Sequence, residues 1–296
     1  ATEKLAGGRT VNDSPERFFA AEYRLDYIMH CYEKPLLTLG HGIVMGGGYG
    51  LFSASNFRVV TQRTRLAFPE ITIGLFPDAG GTVVMRNLPP KIAALLTMTG
   101  GQVNATDALA LGVGTHLIDH EGRADFLEGL KQLNWQAGSQ DTNTEVLQNY
   151  LATQTQVGGL PSSDVAEVDI ETIDLSNLKA CFDSILALEG TSKWMDRGIA
   201  NLRNGCPVTA GIIFKQLGLG PTLSLAECFM TELAIATNCL SRPDFVEGVR
   251  ALLIDKDQSP KWGIESIDAL PPEVAGEHTD ADWEKGGRGR RDGERS

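Results

Sequence analysis

Phe18, Glu22, Leu25, Met29 and Tyr32 follow one another in steps of four, three, four and three, so a carboxylate shares a stripe with four apolar side chains. The spacing predicts an amphipathic helix over residues 15–33, with Asp13 or Ser14 as N-cap and Lys34-Pro35 as the stop. Leu36-Leu37-Thr38-Leu39 reads as a short buried strand running into glycines at 40, 42, 46, 47, 48 and 50. Residues 57–61 and 65–68 alternate as two further strands, and a glycine- and proline-rich loop follows over 74–81. Together these elements make an α/β unit over residues 1–115.

Residues 116–180 are more polar, carry Gly158-Gly159 and Leu160-Pro161-Ser162-Ser163, and read as a helical insertion or linker. Over residues 181–270 the helical period returns at Leu186, Trp194, Ile199 and Leu202, then over 210–217. One long helix is predicted over 224–251, marked by Leu225, Phe229, Leu233, Ile235 and Leu240. Residues 271–296 end in Lys285-Gly286-Gly287-Arg288-Gly289-Arg290-Arg291, a low-complexity stretch expected to be disordered.

The net charge of −12 over 296 residues argues against a footprint on nucleic-acid phosphates, so any anionic ligand needs a local basic patch. With 42% hydrophobic and 22% charged residues the chain can bury a sizeable core. Five cysteines, odd in number and without a Cys-x-x-Cys pair, suggest no disulfide framework and fit a reducing compartment. No apolar run reaches the ~18–20 residues of a membrane span, and Ala1-Thr2-Glu3-Lys4 opens no secretory signal. A first residue other than Met is read as processing, or as excision from a longer product.

Gly46-Gly47-Gly48 lies between an apolar strand and Tyr49-Gly50-Leu51-Phe52. Glycine there lets backbone amides approach a ligand, which suits an oxyanion hole, a phosphate cradle or close packing. A P-loop is disfavoured because no Gly-Lys-Ser/Thr ending follows. Glu70 and Asp78 each follow a proline in an apolar, glycine-rich setting. Burial would keep such carboxyls basic near neutrality, as acid/base or nucleophilic work requires, but Pro-Glu and Pro-Asp also form caps and turns. Glu22 on an apolar stripe needs either an ion pair, with Arg24 or a base across the packing interface, or a task in a site. His30, His41, His116, His120 and His278 show no metal-ligand pairing beyond the loose His116/His120 and read as surface residues, so neither a metal nor a cofactor is expected. Lys256 and Lys261 close the last helix, where they meet phosphates or its C-terminal carbonyls.

Residues 42–51 (Gly-Ile-Val-Met-Gly-Gly-Gly-Tyr-Gly-Leu), 68–81 (Phe-Pro-Glu-Ile-Thr-Ile-Gly-Leu-Phe-Pro-Asp-Ala-Gly-Gly) and 247–257 resemble the crotonase superfamily, and within it the acyl-CoA thioester hydrolases. The similarity runs over residues 18–262. It implies an α/β fold with a crotonase-type (ClpP/crotonase) ββα core and a helical C-terminal region, N-terminally incomplete because the strands that open such a core are lacking ahead of residue 6. An incomplete sheet is expected to leave an exposed edge and to promote aggregation. Enoyl-CoA hydratases place a second glutamate where this chain has Gly50, and usually glycine where it has Asp78, so both departures imply hydrolysis rather than hydration.

The resemblance puts Glu22, Gly47, Glu70 and Asp78 on substrate-binding and catalytic positions. Gly47 would supply one oxyanion amide, and Gly8, in Ala6-Gly7-Gly8-Arg9, the second. Glu70 would attack the thioester carbonyl or deprotonate water, and Asp78 would hold a 3-hydroxyl or exchange a proton with the leaving thiolate. The implied reaction is hydrolysis of a short branched 3-hydroxyacyl-CoA, as in valine breakdown, in a bacterial cytoplasm or mitochondrial matrix. An acyl-CoA is the implied partner, with no nucleic acid or membrane, and a homo-oligomer stays open. The alternatives are an enoyl-CoA hydratase or isomerase, and a non-catalytic acyl-CoA-binding or assembly subunit.

Overall fold

Short strands that stop at glycine or proline, each followed by a helix, set the order of the first half. A computed structural model describes residues 15–154, 158–271, 274 and 276; Ala6-Gly7-Gly8-Arg9, the N-caps Asp13 and Ser14, His278 and the Gly/Arg tail lie outside the described residues. Helix α1 (Pro15–His30) is followed by β1 (Leu37–Gly40), β2 (Ile43–Met45), α2 (Gly47–Ser53), β3 (Phe57–Val60) and β4 (Arg65–Ala67). A 3-10 turn (Glu70–Thr72), α3 (Gly81–Asn87), α4 (Pro90–Thr99), β5 (Val103–Asn104), α5 (Ala105–Ala110) and β6 (His116–Leu117) complete this half.

The strands form two small sheets. In one, β1, β3 and β6 run parallel, with Leu37 opposite Phe57 and Val59 opposite His116. In the other, β4 pairs parallel with β2, Val44 opposite Leu66, and antiparallel with β5. Parallel strands covered on both faces need continuous apolar runs. Phe57, Val59, Val60, Leu66 and Ala67 supply them and are all buried.

The polar stretch forms α6 (Arg123–Lys131) and α7 (Gln140–Ala152), which bury Phe126, Leu147 and Leu151 with Phe57, Val59 and Ile118 and so cover the first sheet. Then come α8 (Leu178–Leu186), α9 (Lys193–Asn204), α10 (Pro207–Leu219), α11 (Leu225–Leu240) and α12 (Pro243–Val249), with a π turn at Arg250–Ile254. One core cluster joins Tyr49, Phe52 and Leu66 of the first half to Met195, Ile199 and Ile213 of the second. The single helix expected over 224–251 is broken at Ser241-Arg242, because Pro243 has no N–H to continue a ladder and instead starts α12 at its first turn. Among the described residues no helix is long and apolar enough to cross a membrane.

Two readings of side chains are corrected. Helix α1 buries Phe19, Tyr23 and Asp26, while Phe18 is 62% exposed and Leu25 49%. Its inner face is therefore turned by one residue, about 100°, because Phe19 packs on Phe245 and Tyr27 and His30 meet Phe229 across the interface with α11 and α12. His120 is buried with Nδ1 3.0 Å from the Thr61 hydroxyl, as Gln62 accepts from its amide and draws the loop after β6 inward; His30 is half-buried. At the end of α12 Arg250 gathers the carboxylates of Glu247, Asp255 and Asp257, and the Lys261 amide donates to Glu247.

Candidate active site

Pro69 ends the extended run after β4 and opens the 3-10 turn on which Glu70 sits. The Glu70 carbonyl accepts from the amides of Ile73 (3.0 Å) and Leu75 (3.2 Å), which fixes the turn, while its carboxyl, in a residue 4% exposed, leaves Oε2 without a partner. Burial, and then the charge of Asp78, push this carboxyl well above the usual range. A cavity of about 410 Å³ is lined in part by Pro69 and Thr72, which bracket Glu70, and by Met45 and Leu252.

Asp78 precedes two residues with left-handed backbone, Ala79 (φ 52°) and Gly80 (φ 86°), and its carbonyl accepts from the Gly81 amide at 2.8 Å. Its carboxylate accepts from the Tyr23 hydroxyl at 2.7 Å. Burial raises the Asp78 carboxyl to about 7; the charges of Glu232 and Glu22 act in the same sense and the Tyr23 hydroxyl against it. Asp26, on the same face of α1 as Tyr23, is pushed to about 7 by burial and by Glu22 and Asp78, and its Oδ2 has no partner. The site thus collects carboxyl groups that disfavour one another's ionisation.

The Glu22 carboxylate lies over Gly47 at the start of α2, and not on Arg24: a Cβ at position 47 would overlap Glu22 Oε1. Gly47 stands in the first turn of α2, where amides have no carbonyl of their own helix to meet. Gly50 is packed on its open side. A Cβ there would lie 2.8 Å from both Ala79 Cβ and the Ala79 carbonyl oxygen, and 2.9 Å from Asp26 Oδ2. No second glutamate fits at this position without moving the Asp78 turn. Gly50→Ala is accordingly expected to destabilise the fold by about 1–3 kcal/mol in a urea titration; a change below about 0.5 kcal/mol would mean that the turn yields freely.

The structure therefore brings Glu22, Gly47, Glu70 and Asp78 into one region, while Gly8 lies outside the described residues. It adds Tyr23, Asp26 and Glu232, none of which the sequence reading singled out. Glu232 carried a usable signal: with Phe229, Ile235 and Cys239 it falls at helical spacing on the buried side of α11, the pattern that drew attention to Glu22. Among the described residues, no three His, Cys, Asp or Glu side chains are grouped to hold a metal ion.

With this geometry in place, the fold and the glycine–glutamate–aspartate arrangement define a crotonase-type protein: residues 2–278 match the Enoyl-CoA hydratase/isomerase family model, and the chain belongs to that family. It is similar to solved structures of a carnitinyl-CoA dehydratase from Mycobacterium thermoresistibile (TM-score 0.77, 25% identity, 90% of this chain and 74% of that one) and an enoyl-CoA hydratase from Rhodobacter sphaeroides (0.74, 25%, 89% and 73%). More particularly, it resembles the mitochondrial 3-hydroxyisobutyryl-CoA hydrolases of Gallus gallus (33% identity, 90% of this chain and 69% of the relative) and Homo sapiens (33%, 88% and 67%). The chain spans about two thirds of the length of these relatives.

Proposed function

We propose that this chain hydrolyses the thioester of 3-hydroxyisobutyryl-CoA to the free acid and CoA, a step of valine catabolism. The observation that carries the reading is the buried, partly unpartnered Glu70 carboxyl beside Asp78, in a site whose Gly50 corner is closed to a second glutamate. The resemblance to hydrolases of that name supports it.

The Gly47 amide meets the oxygen on which charge develops as the carbonyl is attacked. Glu70, once ionised, takes a proton from water; the water oxygen bonds to the carbonyl carbon and the carbon–sulfur bond breaks. Asp78, with its carboxyl near 7, is half-protonated at neutral pH and supplies a proton to the departing thiolate. The compartment that goes with this reading is the matrix in a eukaryotic source and the cytoplasm in a bacterial one, and a homo-oligomer is compatible with the exposed Phe18 and Leu25 face of α1.

Thiol release from 3-hydroxyisobutyryl-CoA, set beside hydration of crotonyl-CoA, tests the reading: release without hydration is expected. Hydration alone would make the chain a hydratase, and binding without turnover an acyl-CoA-binding subunit. Asp78→Ala, which removes both the proton and any hold on the substrate, is expected to lower kcat by about 10²-fold on this ester. An equal loss on isobutyryl-CoA assigns Asp78 to proton transfer alone, and a much smaller loss there assigns it to the 3-hydroxyl.

A further inference from the structure

Two residues in succession with positive φ, one of them an alanine, for which left-handed backbone is disfavoured, make the turn after Asp78 a conformation that relaxes unless its surroundings hold it. The surroundings come from the C-terminal helices. The Glu232 carboxylate, fully buried on α11, accepts from the Gly80 amide through Oε2 and from the Thr82 amide through Oε1, both at 2.8 Å. From α10, Gln216 donates to the Pro77 carbonyl (3.0 Å) and the Thr82 hydroxyl (2.9 Å), and Thr209 donates to the Leu75 carbonyl (2.6 Å).

We infer that Glu232 is a positioning residue for Asp78: its carboxylate clamps one amide within the left-handed turn, that of Gly80, and one just after it, that of Thr82, and so aims the Asp78 carboxylate at Tyr23 and the reacting thioester. The inference rests on the reading that places Asp78 in the reaction. A single carboxylate bound to two amides has no neutral equivalent, since glutamine offers one acceptor oxygen and turns an N–H toward the other amide. Removing the clamp leaves a buried amide unpaired and lets the turn relax, which moves Asp78 while the fold persists. Glu232 is also one of the charges that raise the Asp78 carboxyl, so its loss alters both the direction and the acidity of that group.

The test is a double-mutant cycle on the full chain, read as thiol release from 3-hydroxyisobutyryl-CoA, with Glu232→Gln, Asp78→Asn and both together. Glu232→Gln alone is expected to lower kcat about 10- to 100-fold, with KM changed by less than about 3-fold. In the Asp78→Asn background the same substitution is expected to change kcat by less than about 3-fold, because the group it positions is gone. Full additivity of the two losses overturns the inference, as does a loss carried by KM alone. If Asp78→Asn leaves kcat intact, the assignment of Asp78 itself falls, which the single variant shows before the cycle is closed. Gln216→Met loosens the same turn from α10 and is expected to show the same non-additivity; it carries the test if Glu232→Gln does not fold.

Discussion

Glu70→Gln is expected to lower kcat by about 10²-fold or more, with a thermal midpoint equal to the parent's or above it. The two directions have one cause. A carboxyl buried beside Asp78, with one oxygen unpartnered, is an unfavourable place to put a charge, and the charge is what the chemistry uses. Glutamine keeps the shape of the side chain and removes the ionisable group, so it relieves the fold and silences the reaction. Turnover within a few-fold of the parent would remove Glu70 from the mechanism. A fall in midpoint together with activity would make it a packing residue instead.

The midpoint should also fall by about 5–10 °C between pH 5.5 and pH 8, the reverse of what a chain rich in ion-paired carboxylates would do. Glu22 and Glu70 lie above the usual carboxyl range and Asp26 and Asp78 near 7, in each case first through burial. As pH rises from about 4 the unfolded chain loses these protons first, so between the ordinary carboxyl value and 7 the folded state holds more of them. Stability is full below that window and drains as pH climbs through it. His30, lowered to about 4, acts in the opposite sense between about 4 and 6.5, with His116 and His120 shifted the same way, but the buried carboxyls outnumber them. Calorimetry across this range, with the ionic strength held constant, decides the matter; a midpoint that rises with pH would mean the acids are paired in solution.

The parts of the site visible in the sequence are those encoded locally. Glycines between a strand and a helix, and an acid after proline in an apolar loop, announce themselves within ten residues, and Gly47, Glu70 and Asp78 lie where that pattern puts them. Gly50 stands out only through the resemblance, because enoyl-CoA hydratases carry a glutamate at that position. The inner face of α1 was not legible: Phe18 and Leu25 on one side and Phe19 and Tyr23 on the other both satisfy a helical period, and the choice is made by Phe229, Phe245 and Asp78. Glu232 and Gln216 act on backbone more than 130 residues earlier, and no local spacing encodes such a contact. The break at Pro243 was written in the chain, but continuous apolar positions on either side masked it.

The distance in sequence between the Asp78 turn and the side chains that pin it has a consequence for how the protein is made. Gly80 leaves the ribosome 152 residues ahead of Glu232, an interval of about 8–30 s at ordinary rates of synthesis. During that time the nascent polypeptide already displays the three glycines and both acids of the family motif, yet its left-handed turn has no clamp. A chain that stops ahead of α11 therefore still bears the motif but lacks the carboxylate that binds the Gly80 and Thr82 amides. The contacts that pin the Asp78 turn are completed late in translation, when the last third of the chain reaches what the first third has laid out.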